Sequence, residues 1–174
     1  MPFIYITGAP GAGKSILQKE LSSRGLEVYD IDDAKFGGAH NKVSGERVTI
    51  PPAQERAPEW YDDHEWRIDK AAINSLLDRA ANKTIFICGV APDDEDILTL
   101  FDKIYYLKLD ENKLKQRIAT RTDNDYGKNP NELSHILERK RKLDARYANS
   151  NAVIVNATVP PSEIADRILA QTEI

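Results

Sequence analysis

The sequence predicts an α/β domain of three layers, a parallel sheet of about five strands with helices on both faces. Three observations carry this. Short apolar runs alternate with longer amphipathic ones. The first run ends in a glycine-rich stretch that opens a helix. Carboxylates cluster after the second run, where α/β sheets place their ligands.

Phe3–Thr7 is rich in β-formers and reads as the first strand, and Lys14–Ser23 as a helix stopped near Gly25. Leu26–Asp30 is a second strand. Glu65–Ala81 has helical spacing through Ile68, Ala72, Ile73, Leu76 and Leu77, and Thr84–Cys88 is a continuous apolar strand. Asp93–Phe101 suits a short helix and Lys103–Leu109 a strand. Asp110 is placed to cap a helix running to Arg121. A further helix spans Asn131 to Ala148, a last strand Ala152–Val155, and Ser162 can cap a final helix with Glu163 in its first turn. Residues 35–64 carry Gly37, Gly38, Pro51, Pro52 and Pro58 without a packing pattern, and 122–131 are polar and turn-rich. Irregular segments of this kind are commonly functional.

The bulk properties bound the function. A length of 174 residues suits a single domain over 1–174, and 41% hydrophobic with 30% charged residues is ordinary for a soluble globular protein. A net charge of −4 argues against a surface for bulk nucleic-acid binding. Cys88 is the only cysteine, which excludes an internal disulfide and suits a reducing compartment. No apolar run approaches the roughly 20 residues that span a bilayer, and the chain enters its first motif without room for a leader. A cytoplasmic protein, monomeric or weakly homodimeric and without membrane partners, is the expectation.

Gly8-Ala9-Pro10-Gly11-Ala12-Gly13-Lys14-Ser15 fits G-x-x-x-x-G-K-[ST] at every fixed position, between a strand and a helix. Glycines let the backbone wrap a phosphate and aim N–H groups inward. The helix start adds unpaired N–H groups and the positive dipole end. Lys14 supplies a mobile cation for the β- and γ-phosphates of ATP, and Ser15 a hydroxyl ligand for Mg²⁺. This is a P-loop, and it makes ATP and Mg²⁺ the expected cofactors. A guanine-reading Asn-Lys-x-Asp is missing, since Asn112-Lys113-Leu114-Lys115 lacks the Asp, and the strand ending Cys88-Gly89 carries no acid.

Val28-Tyr29-Asp30-Ile31-Asp32-Asp33 places the acids after the second strand. With the phosphate loop and with Leu114-x-x-Arg117-x-x-x-Arg121 before a polar loop, the chain resembles the P-loop small-molecule and nucleotide kinases: shikimate-kinase-like, gluconate-kinase-like and nucleoside monophosphate kinase-like proteins. The resemblance implies a phosphotransferase that moves the γ-phosphoryl of Mg-ATP to a small acceptor, a nucleoside, nucleoside monophosphate or polyol acid. It implies that Gly8–Ser15, the backbone at Ile16, and Asn156 and Thr158 after the last strand hold the nucleotide. Ile16 stands where many relatives carry a second hydroxyl. Asp30 would orient Mg²⁺ or act as base, Asp32 would bind the acceptor, and Gly89 would let it approach the backbone. Arg117 and Arg121 would close over the transferring group, with 121–131 as a lid and 35–64 as an acceptor-side excursion.

Other residues carry two readings. Asp30, Asp32 and Asp33 suit a plain turn as well as a site, and Asp30 and Asp32 share a face only if the strand continues. Arg117 and Arg121 lie one turn apart, as a solvated basic face also would. Lys128, beside Gly127, is a further candidate in the polar loop. In the run Glu138-Arg139-Lys140-Arg141-Lys142, either an exposed face or a reach of Arg139 or Arg141 toward the acceptor fits. Trp60, Tyr61, His64 and Trp66 with Arg47, Arg56 and Arg67 form a mini-core or a stacking platform. Cys88 reads as inert core, and His40 and His135 have no metal-ligand spacing. Two other classes remain: a nucleotide-binding regulatory module with 35–64 as its partner surface, and a kinase of nucleic-acid ends using the basic stretch 139–146.

Overall fold

The computed structural model describes residues 1–51, 58–90, 95–122 and 125–172. Its elements run β1 (Phe3–Thr7), α1 (Lys14–Ser23), β2 (Glu27–Asp30), β3 (Gly37–Asn41), β4 (Arg47–Val48), α2 (Pro58–Asp63), β5 (His64–Ile68), α3 (Lys70–Ala80), β6 (Ile85–Cys88), α4 (Glu95–Leu98), β7 (Lys103–Lys108), α5 (Glu111–Thr120), α6 (Pro130–Ala148), β8 (Val153–Asn156) and α7 (Pro161–Gln171). The main sheet has the order β2-β6-β1-β7-β8, all parallel. Every residue of β1 and β6 is buried, as a strand covered on both faces requires.

Alternation along the strands divides the core. Ile4, Ile6, Phe86, Tyr105 and Leu107 face one way and pack on α1, α5, α7 and the first half of α6 through Leu17, Leu114, Ile118, Ile136 and Ile168. Phe3, Tyr5, Ile85 and Ile87 face the other way, onto Ile73 and Leu76 of α3 and Ile97 of α4. The C-terminal half of α6 packs by Leu143 and Tyr147 on Tyr106, which shares a strand with Tyr105 but faces oppositely. Helix α6 therefore serves both faces of the sheet. No helix among the described residues is long and apolar enough to cross a membrane.

The expected parallel sheet and its five strands are present, with bounds shifted by a residue or two. The expected helix over Glu65–Ala81 is corrected: residues 64–68 form β5, and α3 begins at Lys70 because Asp69 caps it, accepting from the Ala71 and Ala72 amides. Ile68 keeps the helical spacing in sequence but belongs to the strand. The described part of segment 35–64 is likewise not wholly irregular: β3 and β4 join β5 in a second, antiparallel sheet in the order β4-β3-β5, with Ala39 opposite Trp66 and His40 opposite Glu65. The capping role of Ser162 is also corrected: α7 starts at Pro161 after Pro160, with no side-chain cap, and Ser162 lies inside its first turn. The start of the expected helix at Asp93 lies outside the described residues.

Replacing Asp69 by Ala leaves two α3 amides without their cap and is expected to cost about 1 kcal/mol, read as a lower urea midpoint. Asp69→Asn is expected to retain most of that stability.

Candidate phosphate-binding site

The phosphate loop leaves β1 at Thr7 and returns as α1. Gly11 and Gly13 have φ of 88° and 105°, left-handed conformations that residues with a Cβ rarely adopt. A side chain at Gly11 would meet Leu114 Cδ1 at 2.9 Å, so α5 packs directly beneath the turn. The backbone N–H groups of Gly13, Lys14, Ser15 and Ile16 have no acceptor among the described residues. These are the orphan donors of a helix start, aimed at whatever the loop encloses. Lys14 Nζ donates to the carbonyls of Gly8 (2.7 Å) and Ala9 (3.1 Å). Burial lowers its ammonium pKa to about 8, against an opposing pull from Asp32.

Lys14, Ser15, Gln18, Asp30, Asp32, Cys88 and Gly89 line one cleft at the carboxyl ends of β1, β2 and β6. Strand β2 ends at Asp30, and a turn follows, closed by Asp33 N to Asp30 O at 3.2 Å. The condition that strand parity would align Asp30 with Asp32 is therefore not met. The turn brings both to the cleft instead, and Asp30 Oδ1 accepts from the Asp32 amide at 2.9 Å. Asp32 as a residue is exposed, yet its carboxyl sits in the cleft. Burial there, with Asp30 beside it, raises the pKa to about 6, while Lys14, Arg139 and the Val90 amide oppose the rise. Gly89, with φ of 145°, has packing reasons for its identity, because an added Cβ would lie 2.3 Å from Ile31 Cγ2.

Arg117 is not among the residues that line the cleft. Its two terminal nitrogens donate to the carbonyls of Ala12 (3.0 Å) and Ala157 (2.7 Å), joining the phosphate loop to the turn after β8. In that turn Asn156 Oδ1 accepts from the amide and hydroxyl of Thr158 at 2.9 and 2.8 Å, so both expected nucleotide contacts are engaged in shaping the backbone. Arg121 caps α5 and donates to the Tyr126 carbonyl, and its Nε is buried without a partner among the described residues. Lys128 pairs with Asp125 at 2.8 Å. Ile16 is exposed beside the loop, and Pro10 and Ala9 complete it.

The basic run resolves into separate roles. Arg141 is bidentate on Glu111 (2.7 and 3.1 Å), Lys142 pairs with Glu138 at 2.8 Å, and Lys140 pairs with Asp144. Arg139 has no ion pair among the described residues, and its charge acts on both Lys14 and Asp32. In the excursion, Arg47 donates to the Ala34 and Gly37 carbonyls (both 2.9 Å), Arg67 to Glu65, and Trp60 stacks on His64 at 4.6 Å. Arg56 and the Tyr61 side chain lie outside the described residues, as do Asp123 and Asn124 of the expected lid. Cys88 is buried, and its thiol is raised to about 12. Gln18 was not singled out in the sequence, although it lies one helical turn from Lys14 and so on the same face.

A parallel sheet with this strand order, a glycine-wrapped helix start and a lysine folded over it define the P-loop fold of small kinases. A family model described as "AAA domain" matches residues 4–138, and the chain belongs to that family. Among solved structures, shikimate kinase from Acinetobacter baumannii in complex with shikimate is similar over 99% of this chain and 93% of that one, with 17% identity and a TM-score of 0.61. A gluconokinase from Sinorhizobium meliloti 1021 is similar over 97% and 90%, at 18% identity and a TM-score of 0.55. Deoxyadenosine kinase from M. mycoides with bound dATP is similar over 99% and 100%, at 16% identity and a TM-score of 0.52. At these identities the likeness is one of fold. No curated protein matches the chain.

The raised pKa of Asp32 sets a pH dependence of stability. The folded state holds this proton more tightly than the unfolded chain. The contribution is full below the ordinary carboxyl value of 3.8 and is lost as pH rises through about 6. Asp32→Asn, which carries no charge to desolvate, is expected to melt above the parent protein at pH 7.5. That gap should close by about pH 4 in thermal melts across the range.

Proposed function

We propose that this protein is an ATP-dependent phosphotransferase that moves the γ-phosphoryl of Mg-ATP to the hydroxyl of a small acceptor. The observation that supports this best is the pairing of four unsatisfied amides and Lys14 with two carboxylates across one cleft. A phosphate chain fits the donors. Among the described residues no group of three or more His, Cys, Asp or Glu is placed to hold a metal unaided. Mg²⁺ suits such a site, because it commonly takes one or two protein ligands and completes its shell with water and phosphate oxygens. Ser15 and Asp30 would be those ligands.

Bound Mg-ATP supplies the phosphoryl group and a divalent charge to offset that of the transferring oxygens. The remaining work falls to the chain. Lys14, held now by the Gly8 and Ala9 carbonyls, turns toward the β- and γ-phosphates. The amides of residues 13–16 fix the phosphate chain, and fixed donors in a cleft stabilise developing charge without reorganising. Asp32, with a pKa near the working range, orients the acceptor hydroxyl and accepts its proton. The charge of Arg139 acts on Asp32, and Arg139 has no ion pair among the described residues, which favours an acceptor that carries an anionic group. A nucleoside monophosphate or a polyol acid meets that requirement better than a neutral nucleoside. Local pairing of Lys140, Arg141 and Lys142 leaves little free positive charge for a nucleic-acid end.

The test is ADP formation from Mg-ATP with a panel of nucleosides, nucleoside monophosphates, shikimate and gluconate, against a blank without acceptor. Acceptor-dependent turnover, abolished in Lys14→Ala and lowered at least about a hundredfold in Asp32→Asn, is expected. Tight ATP binding with no response to any acceptor would favour the regulatory-module reading instead.

A further inference from the structure

A partly buried polar network lies behind the site, on the part of α6 that follows Arg139. Lys140 is only 5% exposed and pairs with Asp144 one turn later. The other Asp144 oxygen accepts the Tyr106 hydroxyl at 2.7 Å, and Tyr147 stacks on the Tyr106 ring at 4.8 Å. A hydrophobic trio of matching volume would stabilise this contact as well or better, so the ion pair calls for another reason. Its surroundings supply one. Tyr106, Leu143 and Tyr147 pack against Val90. Val90 follows Gly89 at the end of β6, and its backbone N–H faces the Asp32 carboxylate and stabilises the charged form. Tyr106 is also the register partner of Thr7, the last residue before the phosphate loop, whose hydroxyl is fully buried and unpartnered among the described residues.

We infer that Lys140, Asp144 and Tyr106 form a positioning network that fixes α6 against the Gly89–Val90 turn, setting Arg139 and the Val90 amide in their places around Asp32. The geometry acts in two directions. Along α6, Lys140 anchors the helix one residue after Arg139, whose charge acts on Lys14 and Asp32, and a rotation of about 100° per residue separates the two side chains. Across the sheet, the Tyr106 hydroxyl fixes which oxygen of Asp144 faces Lys140, so the helix has one register over β7. An apolar contact, being non-directional, would permit sliding. A hydrogen-bonded pair permits one arrangement. The network touches no reacting atom. Its catalytic consequence rests on the phosphotransferase reading, while its effect on the Val90 amide does not.

The experiment compares amide hydrogen exchange and turnover in the full chain, Lys140→Met, Tyr106→Phe and Ile168→Val. Ile168→Val loosens α7 on the other face and controls for general destabilisation. The Val90 amide is expected to exchange about tenfold faster in Lys140→Met and in Tyr106→Phe, with β1 unchanged and with Ile168→Val like the parent. With AMP or gluconate as acceptor, kcat should fall about tenfold while Mg-ATP affinity stays within about twofold. Tyr106→Phe removes one hydroxyl only and decides the matter if Lys140→Met does not fold. Val90 exchange within about twofold of the parent in the folded variants would overturn the inference. Faster exchange with unchanged kcat would overturn its catalytic part. Absence of turnover in the parent protein with every acceptor would count against the phosphotransferase reading, and the exchange comparison would still decide whether the network holds the turn.

Discussion

The guanidinium of Arg117 joins two pieces of backbone that the sheet alone would leave independent. It bonds the carbonyl of Ala12 in the phosphate loop and that of Ala157 after β8, strands apart in the sheet. Two charge-assisted bonds from one planar group fix distance and orientation together. Beneath it, Leu114 and Ile118 of α5 close on Gly11, so the loop cannot acquire a side chain there without displacing the helix. The free amides of residues 13–16 keep their direction because the turn that presents them is braced from this side. The empty loop gathers the positive ends of several N–H dipoles, and Lys14, of the same sign, is held by the Gly8 and Ala9 carbonyls until phosphate can replace them.

Opposite the donors stand carboxylates of unequal character. Asp30 ends a strand and turns its oxygen to the next amide but one, while Asp32 carries the raised pKa. A pair of neighbouring acids with separated tendencies can divide the work, one staying charged toward a cation and the other handling a proton. The rise at Asp32 comes from burial and from the neighbouring Asp30, and Lys14, Arg139 and the Val90 amide limit it from α1, α6 and the turn after β6. The site is thus assembled from the ends of several elements, as a parallel sheet demands, while α6 packs on both faces of that sheet.

Much of this was legible in the residues. The bounds of β1 and α1 follow from a motif whose glycines and lysine have no substitute, and the alternation of strands with helices gave the sheet. The excursion was not legible, for a physical reason. Residues 64–68 continue the helical spacing of α3 into a strand that forms only because β3 pairs with it at long range. Asp69, a capping residue in plain sight, marked the true start. Arg117 and Arg121 were readable as a pair on one helix face, but which carbonyls they meet depends on β8 and the 125–129 turn. The basic run showed charges without partners, and only the packing of α6 separates the buried Lys140 from the exposed Arg139.

The most direct measurement of the central claim is amide hydrogen exchange at Gly13, Lys14, Ser15 and Ile16 with and without saturating Mg-ATP. If the loop is a phosphate cradle, these four amides, without acceptors among the described residues, become strongly protected together when nucleotide binds, and Lys14→Ala weakens the protection. Nucleotide binding that leaves their exchange unchanged, or that protects another part of the chain instead, would contradict the account.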